Sequence, residues 1–139
     1  MEDLSLHILD IVENALRAGA RNVIVRLSQS KREDRLILEI IDDGEGMDEE
    51  TVSRSLDPFF TTKEGKRIGL GLPLLAQAAE EAEGKVYIKS APGKGTTVTA
   101  IFRLSHIDRK PLGNIEETVR CLRRTHPEVR FHFESVNAD

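Results

Sequence analysis

Two runs of branched apolar residues set the first limit on what this chain can fold into. NVIVRLS (Asn22–Ser28) and DRLILEIID (Asp34–Asp42) are rich in Val, Ile and Leu over strand-like lengths, with the charged stretch QSKRED between them. They predict a hairpin. A second hairpin follows from KVYIKS (Lys85–Ser90) and GTTVTAIFRL (Gly95–Leu104), divided by the turn APGKG. Helical spacing appears over Leu4–Ala18, with apolar Ile8, Ile11, Val12 and Ala15, and Gly19 as the stop signal. Asp48–Leu56 reads as a short helix, PFFTTKEGKRIG as a loop without periodicity, and Leu72–Ala82 as a second long helix. Further on, Ile115–Thr125 has a helical pattern, and Pro127 precedes the strand-like VRFHFES. Elements in this order predict an α+β fold: a mixed, mostly antiparallel sheet with helices on one face.

At 139 residues and 39% hydrophobic, the chain suits one domain with a real core. Its single cysteine, Cys121, excludes an intrachain disulfide and reads as a packed apolar residue of its helix. No starting apolar run and no spanning segment appear, so a cytoplasmic protein without membrane contact is expected. A net charge of −4 argues against nucleic acid as partner, although a local basic patch can still serve a small anion.

The first helix carries a polar stripe. At about 100° per residue, His7, Asp10, Asn14 and Arg17 share one side, while Glu13 falls farther round toward solvent. A solvated surface would look the same. The functional alternative is that Asn14 offers a neutral carbonyl oxygen to Mg²⁺, with Asp10, one turn earlier, placed to hold or activate a water.

Glycine-rich segments supply the rest. IDDGEGM follows a strand directly, which puts Asp42 at a strand end, where its carboxylate can accept from an exocyclic amine such as that of adenine. Gly44 and Gly46 allow the backbone to turn sharply and approach a flat ring; a plain acidic turn is the duller reading. A calcium loop fits poorly, because Gly44 stands where a third-position oxygen ligand is needed. GLGLPLL (Gly69–Leu75) precedes the second long helix, whose unpaired N–H groups attract phosphate. Lys63, Lys66 and Arg67 lie just upstream; they neutralise the same anion or simply form a charged loop. The pattern is neither a dinucleotide fingerprint, since Leu74 takes the third glycine's place, nor a Walker loop. Thr96, in GKGTTV, starts the last long strand, where its hydroxyl can reach the Asp42 carboxylate directly or through water; β propensity alone would also place a threonine there.

The order ENA, DDGEGM, PFFTTK, GLGL, GKGTT resembles the GHKL superfamily of ATP-binding domains, which includes gyrase, heat-shock chaperones, MutL proteins and histidine kinases. The resemblance runs from about Leu4 to Leu104 and implies a Bergerat fold, a two-layer α/β sandwich holding Mg²⁺-ATP beneath a mobile lid. It places the nucleotide-binding domain at residues 1–106, with 107–139 as a C-terminal helix-strand extension of the same domain. PFFTTKEGKRIGLGL and SAPGKGTTV are most similar to the catalytic domain of sensor histidine kinases, whereas DIVENALRAGA is closer to the MutL helix. By position, the resemblance makes Asn14 the Mg²⁺ ligand and Asp42 the adenine reader. It lines the base pocket with Gly44, Gly46 and Met47, and gives the phosphates Gly69, Leu70, Gly71 and Leu72. Phe59 and Phe60 match the lid-anchoring F box, and Lys63, which follows it, reaches toward phosphate. Asp10 stands where some members carry a glutamate base and most histidine kinases carry asparagine. Arg67 and Ile68 replace the usual glycine and small residue before GLGL.

None of the four histidines is followed by an acidic residue, as a phosphoacceptor histidine normally is. The expected activity is therefore that of an ATP-dependent, histidine kinase-like catalytic module without its own acceptor or sensor, working on or regulating a partner protein in trans. Two alternatives stand beside it: an ATP-driven conformational switch with slow hydrolysis, and an anti-sigma-like serine kinase.

Overall fold

A computed structural model of the chain describes residues 4–57, 71–107 and 114–139. Its elements are α1 (Leu4–Arg17), β1 (Asn22–Ser30), β2 (Arg35–Asp42), α2 (Glu49–Arg54), α3 (Gly71–Glu81), β3 (Lys85–Ser90), β4 (Thr96–Arg103), α4 (Leu104–Ile107), α5 (Ile115–Thr125) and β5 (Arg130–Asn137). The five strands make one sheet in the order β3-β4-β2-β1-β5. All neighbours are antiparallel except β5, which runs parallel to β1 from Asn22↔Arg130 to Gln29↔Asn137. The α+β architecture, with its mostly antiparallel sheet, is the expected one.

Register and side-chain alternation build the core. Cross-strand pairing puts Ile88, Val98, Ile40, Val25 and Phe133 in one row, and Val86, Ala100, Leu38 and Leu27 in the next. These rows face the helices: α1 packs on β2, α3 on β3 and β4, and α5 on β5. Phe102, Leu36, Leu38, Ile40, Leu75, Leu4 and Ile8 are among the fully buried side chains at the centre. On the opposite face, Arg26 bridges Glu39 (3.5 Å) and Glu134 (2.9 Å), joining β2, β1 and β5 through half-exposed groups.

The C-terminal helix and strand complete the same sheet and core. Ile115, Val119 and Leu122 of α5 are buried in the hydrophobic cluster shared with α1 and the central strands. Asn114 caps α5 by accepting from the Glu117 amide at 3.0 Å. Cys121 is exposed, which corrects the expectation of a packed residue: it lies one position from Leu122, turned away from the buried 115/119/122 stripe. The last strand of the second hairpin also ends earlier than its apolar pattern suggests, because Leu104–Ile107 turns into a helical segment. The Leu104 amide donates to the Asp34 carbonyl at 3.0 Å, and Asp34 carboxylate oxygens accept from the Ser105 amide and hydroxyl.

Two helix ends are closed by the same pair of bonds. At α1, Gly19 adopts φ +79°, its amide donates to the Leu16 carbonyl, and the Ala20 amide donates to the Ala15 carbonyl, both at 3.0 Å. At α3, the left-handed position is held by Glu83 (φ +56°) and the glycine comes one residue later. The reason is steric, since a Cβ on Gly84 would lie 1.7 Å from the Ile101 carbonyl oxygen of β4. Gly84→Ala is expected to cost about 3 kcal/mol. Gly93→Ala, at φ +75° but with open space around it, is expected to cost about 1 kcal/mol. Urea denaturation of the two variants checks the contrast, and equal losses would contradict it.

Candidate functional site

The helix-facing row that follows Ile88, Val98, Ile40 and Val25 changes character. It consists of Ser90, Thr96, Asp42 and Val23, so the alternation that buries Leu36, Leu38 and Ile40 delivers a carboxylate to the same face at the end of β2. Asp42 is half-buried there. Its Oδ1 accepts from the Gly44 amide at 2.8 Å. Burial pushes the Asp42 carboxyl up from its ordinary value and the neighbouring Asp43 charge adds to this, while the Gly44 and Thr96 amides pull it back.

Asp43 does different work. Its Oδ1 accepts from the Arg21 and Asn22 amides at 2.8 and 2.9 Å, and its Oδ2 from Asn22 Nδ2 at 2.7 Å. It pins the start of β1 to the end of β2, and the bonds from Asn22, side chain first, hold its carboxyl below the usual range. Sequence reasoning passed over this residue, since two adjacent aspartates before a glycine look alike until the register shows which one turns toward the helices.

The loop after Asp42 is wedged between the end of α1 and the β3–β4 turn. On one side the Glu45 amide donates to the Ala18 carbonyl at 2.8 Å, and a Cβ on Gly44 would come within 2.9 Å of that same oxygen. On the other, the Gly93 amide donates to the Glu45 carbonyl at 2.7 Å, and the Met47 amide to Ser90 Oγ at 2.8 Å. Gly46 (φ +73°) and Gly95 (φ +75°) are both required: a Cβ on the first would be 2.1 Å from the Ala91 carbonyl oxygen, and on the second 2.1 Å from that of Asp42.

The sequence-derived site residues therefore divide. Asp42, Gly44, Gly46, Met47 and Thr96 come together at this end of the sheet, and Ala18 joins them to the half of α1 that carries Asn14. The side-chain amide nitrogen of Asn14 is buried and has no hydrogen-bond partner among the described residues. Asp10, one turn earlier, is exposed, and Glu13 pairs with Arg17 at 3.5 Å on the surface. His7 departs from the expected polar stripe: it is 5% exposed, because it lies between Leu4 and Ile11 on the apolar face. Thr96 stands opposite Asp42 in the β2–β4 ladder, and its hydroxyl lies 2.8 Å from Ser90 Oγ. Gly71 opens α3, and Leu72, 4% exposed, packs in the core. Phe60, Lys63, Arg67, Gly69 and Leu70 lie outside the described residues. Among the described residues no group of three or more His, Cys, Asp and Glu is arranged to hold a metal, and no helix is long and apolar enough to cross a membrane.

Asp42 and Asp43 carry opposite pH signatures. The folded value of Asp43 is lowered, so its contribution is present above the unfolded carboxylate value and is lost as pH falls through the folded one. The folded value of Asp42 is raised, so its contribution is present below the unfolded value and is lost as pH rises through the folded one. At neutral pH, Asp43→Ala is expected to destabilise by about 1 kcal/mol, while Asp42→Asn is expected to stabilise. Chemical denaturation reads both, and destabilisation by Asp42→Asn would contradict the assignment.

Comparison with known proteins gives the family. Residues 2–106 match the family described as histidine kinase-, DNA gyrase B- and HSP90-like ATPase. Sporulation kinase C of Bacillus subtilis is 31% identical over 96 residues, 69% of this chain and 22% of that kinase. Sensor protein kinase FleS of Pseudomonas aeruginosa is 38% identical over 111 residues, 79% of this chain and 27% of its own length. The chain thus spans about a quarter of each of these relatives. Among solved structures, the mycobacterial sensor histidine kinase MprB is similar with a TM-score of 0.55 at 25% identity, covering 69% of this chain and 66% of that one. The catalytic domain of histidine kinase ThkA shares the fold, with a TM-score of 0.54 at 22% identity over 70% of this chain and 64% of its own. With the family's span reaching from α1 through β4 and the carboxylate-glycine site at the sheet end, the chain belongs to the GHKL family of histidine kinase-like ATPases, as an ATP-binding module.

Proposed function

We propose that this chain binds Mg²⁺-ATP at the end of the sheet and serves as a kinase-like catalytic module for a partner protein in trans. The observation that carries the reading is Asp42: a half-buried carboxylate on the helix-facing side at the end of β2, with the Gly44 amide donating to its Oδ1. An ionised Asp42 accepts from the adenine amine and rejects guanine, which presents a carbonyl oxygen at that position. Asn14 would hold the ion. Its amide nitrogen has no protein partner among the described residues, so its side chain is not committed to an internal bond, and its carbonyl oxygen is the neutral ligand type Mg²⁺ takes beside phosphates and water. The bound ion would neutralise phosphate charge. Of this chain's groups, Asp42 orients the base, and the start of α3 at Gly71 offers helix N–H groups toward the phosphates.

The proposed transfer goes to a residue outside this chain, whose own histidines have other settings. His7 is buried, His126 and His132 lie near Glu128 (3.5 Å) and Glu134 (3.0 Å), and His106 lies 3.3 Å from Glu83. None is followed by an acidic residue. A second reading, a nucleotide-driven switch with slow hydrolysis, draws on Asp10, exposed one turn from Asn14 and shorter than a glutamate base. An anti-sigma-like serine kinase shares the acidic residue at this position, and phosphoserine on a co-purifying partner would favour it.

The raised Asp42 carboxyl has a functional signature. Because the ionised carboxylate is the stronger acceptor, affinity for ADP is expected to fall as pH drops through the folded Asp42 value. Asp42→Asn is expected to bind more weakly, with less preference for adenine over guanine and without that pH dependence. Calorimetric titrations of both proteins across the acidic range check this; the same pH profile in the variant would remove Asp42 from the base. Label transfer from γ-labelled ATP to a protein in a cell extract separates phosphotransfer, which the proposal requires, from release of phosphate alone.

A further inference from the structure

The Asp42–Met47 loop is fastened at its far end by a residue with no place in the sequence-derived site. Ser90, the last residue of β3, has three short contacts through one oxygen: the Met47 amide at 2.8 Å, the Gly95 carbonyl at 2.9 Å and Thr96 Oγ1 at 2.8 Å. A hydroxyl has one proton. The Gly95 carbonyl can only accept, so the Ser90 proton goes there and both the Met47 amide and the Thr96 hydroxyl donate to Ser90. Thr96 in turn pairs with Asp42 across β4 and β2. With the chain from Gly44 to Met47, the contacts close a ring from Asp42 through Gly44, Met47, Ser90 and Thr96 back to Asp42.

We infer that Ser90 is a positioning residue for the base site, setting the curvature of the Asp42–Met47 loop by holding its two ends to one strand pair. The inference rests on the adenine-binding reading of Asp42 and deepens it. Ser90 acts at a distance from the base: it ties down Met47, whereas Asp42 does the recognition. The loop cannot be held in the same way by packing, because Gly44 and Gly46 have no side chains and Glu45 is exposed. Its start is anchored by Asp43 on Arg21 and Asn22 and by the Gly44 amide on Asp42, and its middle by backbone bonds to Ala18 and Gly93 at the Glu45 peptide; at Met47 the anchor is Ser90.

Ser90→Ala leaves the Met47 amide and the Thr96 hydroxyl without this partner; Ser90→Thr keeps the oxygen in a strand position that tolerates β-branching. The Kd of Ser90→Ala for ADP is expected to rise about tenfold, with reduced preference for ADP over GDP, while Ser90→Thr stays near the parent. Unchanged affinity and preference in a folded Ser90→Ala, or equal loss in Ser90→Thr, would overturn the assignment. Amide hydrogen exchange without nucleotide gives a second readout. Faster exchange at Met47 in Ser90→Ala, with β1 and β2 unchanged, is expected, and unchanged exchange at Met47 overturns the inference even if the protein binds no nucleotide. Failure of the parent protein to bind ADP would instead count against the adenine reading of Asp42.

Discussion

The period-two alternation of β2 is the constraint on which the rest depends. It buries Leu36, Leu38 and Ile40 beneath the helices, and one further step of the same period puts Asp42 on that face. Among the described strand residues, Asp42 is the carboxylate this pattern brings to that side at this end. A slip of one residue in the β1–β2 register would turn Asp42 to the open face and expose the leucines with it. Folding and site formation therefore depend on one pairing, secured by Asp43 at the β1 start and by the turn bonds around Asp34 at the other end.

Function and stability pull apart at this point. Asp43 lies on the surface, satisfied by three short donor contacts, and stabilises the fold. Burial raises the Asp42 carboxyl, so its charged form costs the fold stability, which is the arrangement expected of a group held for a ligand. Asn14 shows a related pattern, with a buried amide nitrogen left without a partner among the described residues. Both residues are supported by backbone packed so closely that glycine is obligatory: Gly44 against Ala18, Gly46 against Ala91 and Gly95 against Asp42.

Much of this was legible beforehand, and the exceptions have physical reasons. Strands with clean alternation and helices with apolar stripes were readable within a few residues, as were the glycine turns. His7 was misplaced because its polar type outweighed its spacing: three residues after Leu4 and four before Ile11, it belongs to the buried stripe. Cys121 failed in the opposite sense, an apolar type at an exposed angle. The separate roles of Asp42 and Asp43, and the hub at Ser90, depend on cross-strand register, which brings together residues 21 to 43 positions apart and more, and leaves no local signature.

The central claim is that the sheet end marked by Asp42 and the α1 face marked by Asn14 form one Mg²⁺-ATP site. It is tested most directly by calorimetric titration of the purified chain with ATP, first with Mg²⁺ and then with a chelator, alongside Asn14→Ala. The account predicts ATP binding that weakens on chelation in the parent protein and is insensitive to chelation in Asn14→Ala. Binding with the same metal dependence in both proteins would contradict the role given to Asn14, and no ATP binding by the parent protein would contradict the account as a whole.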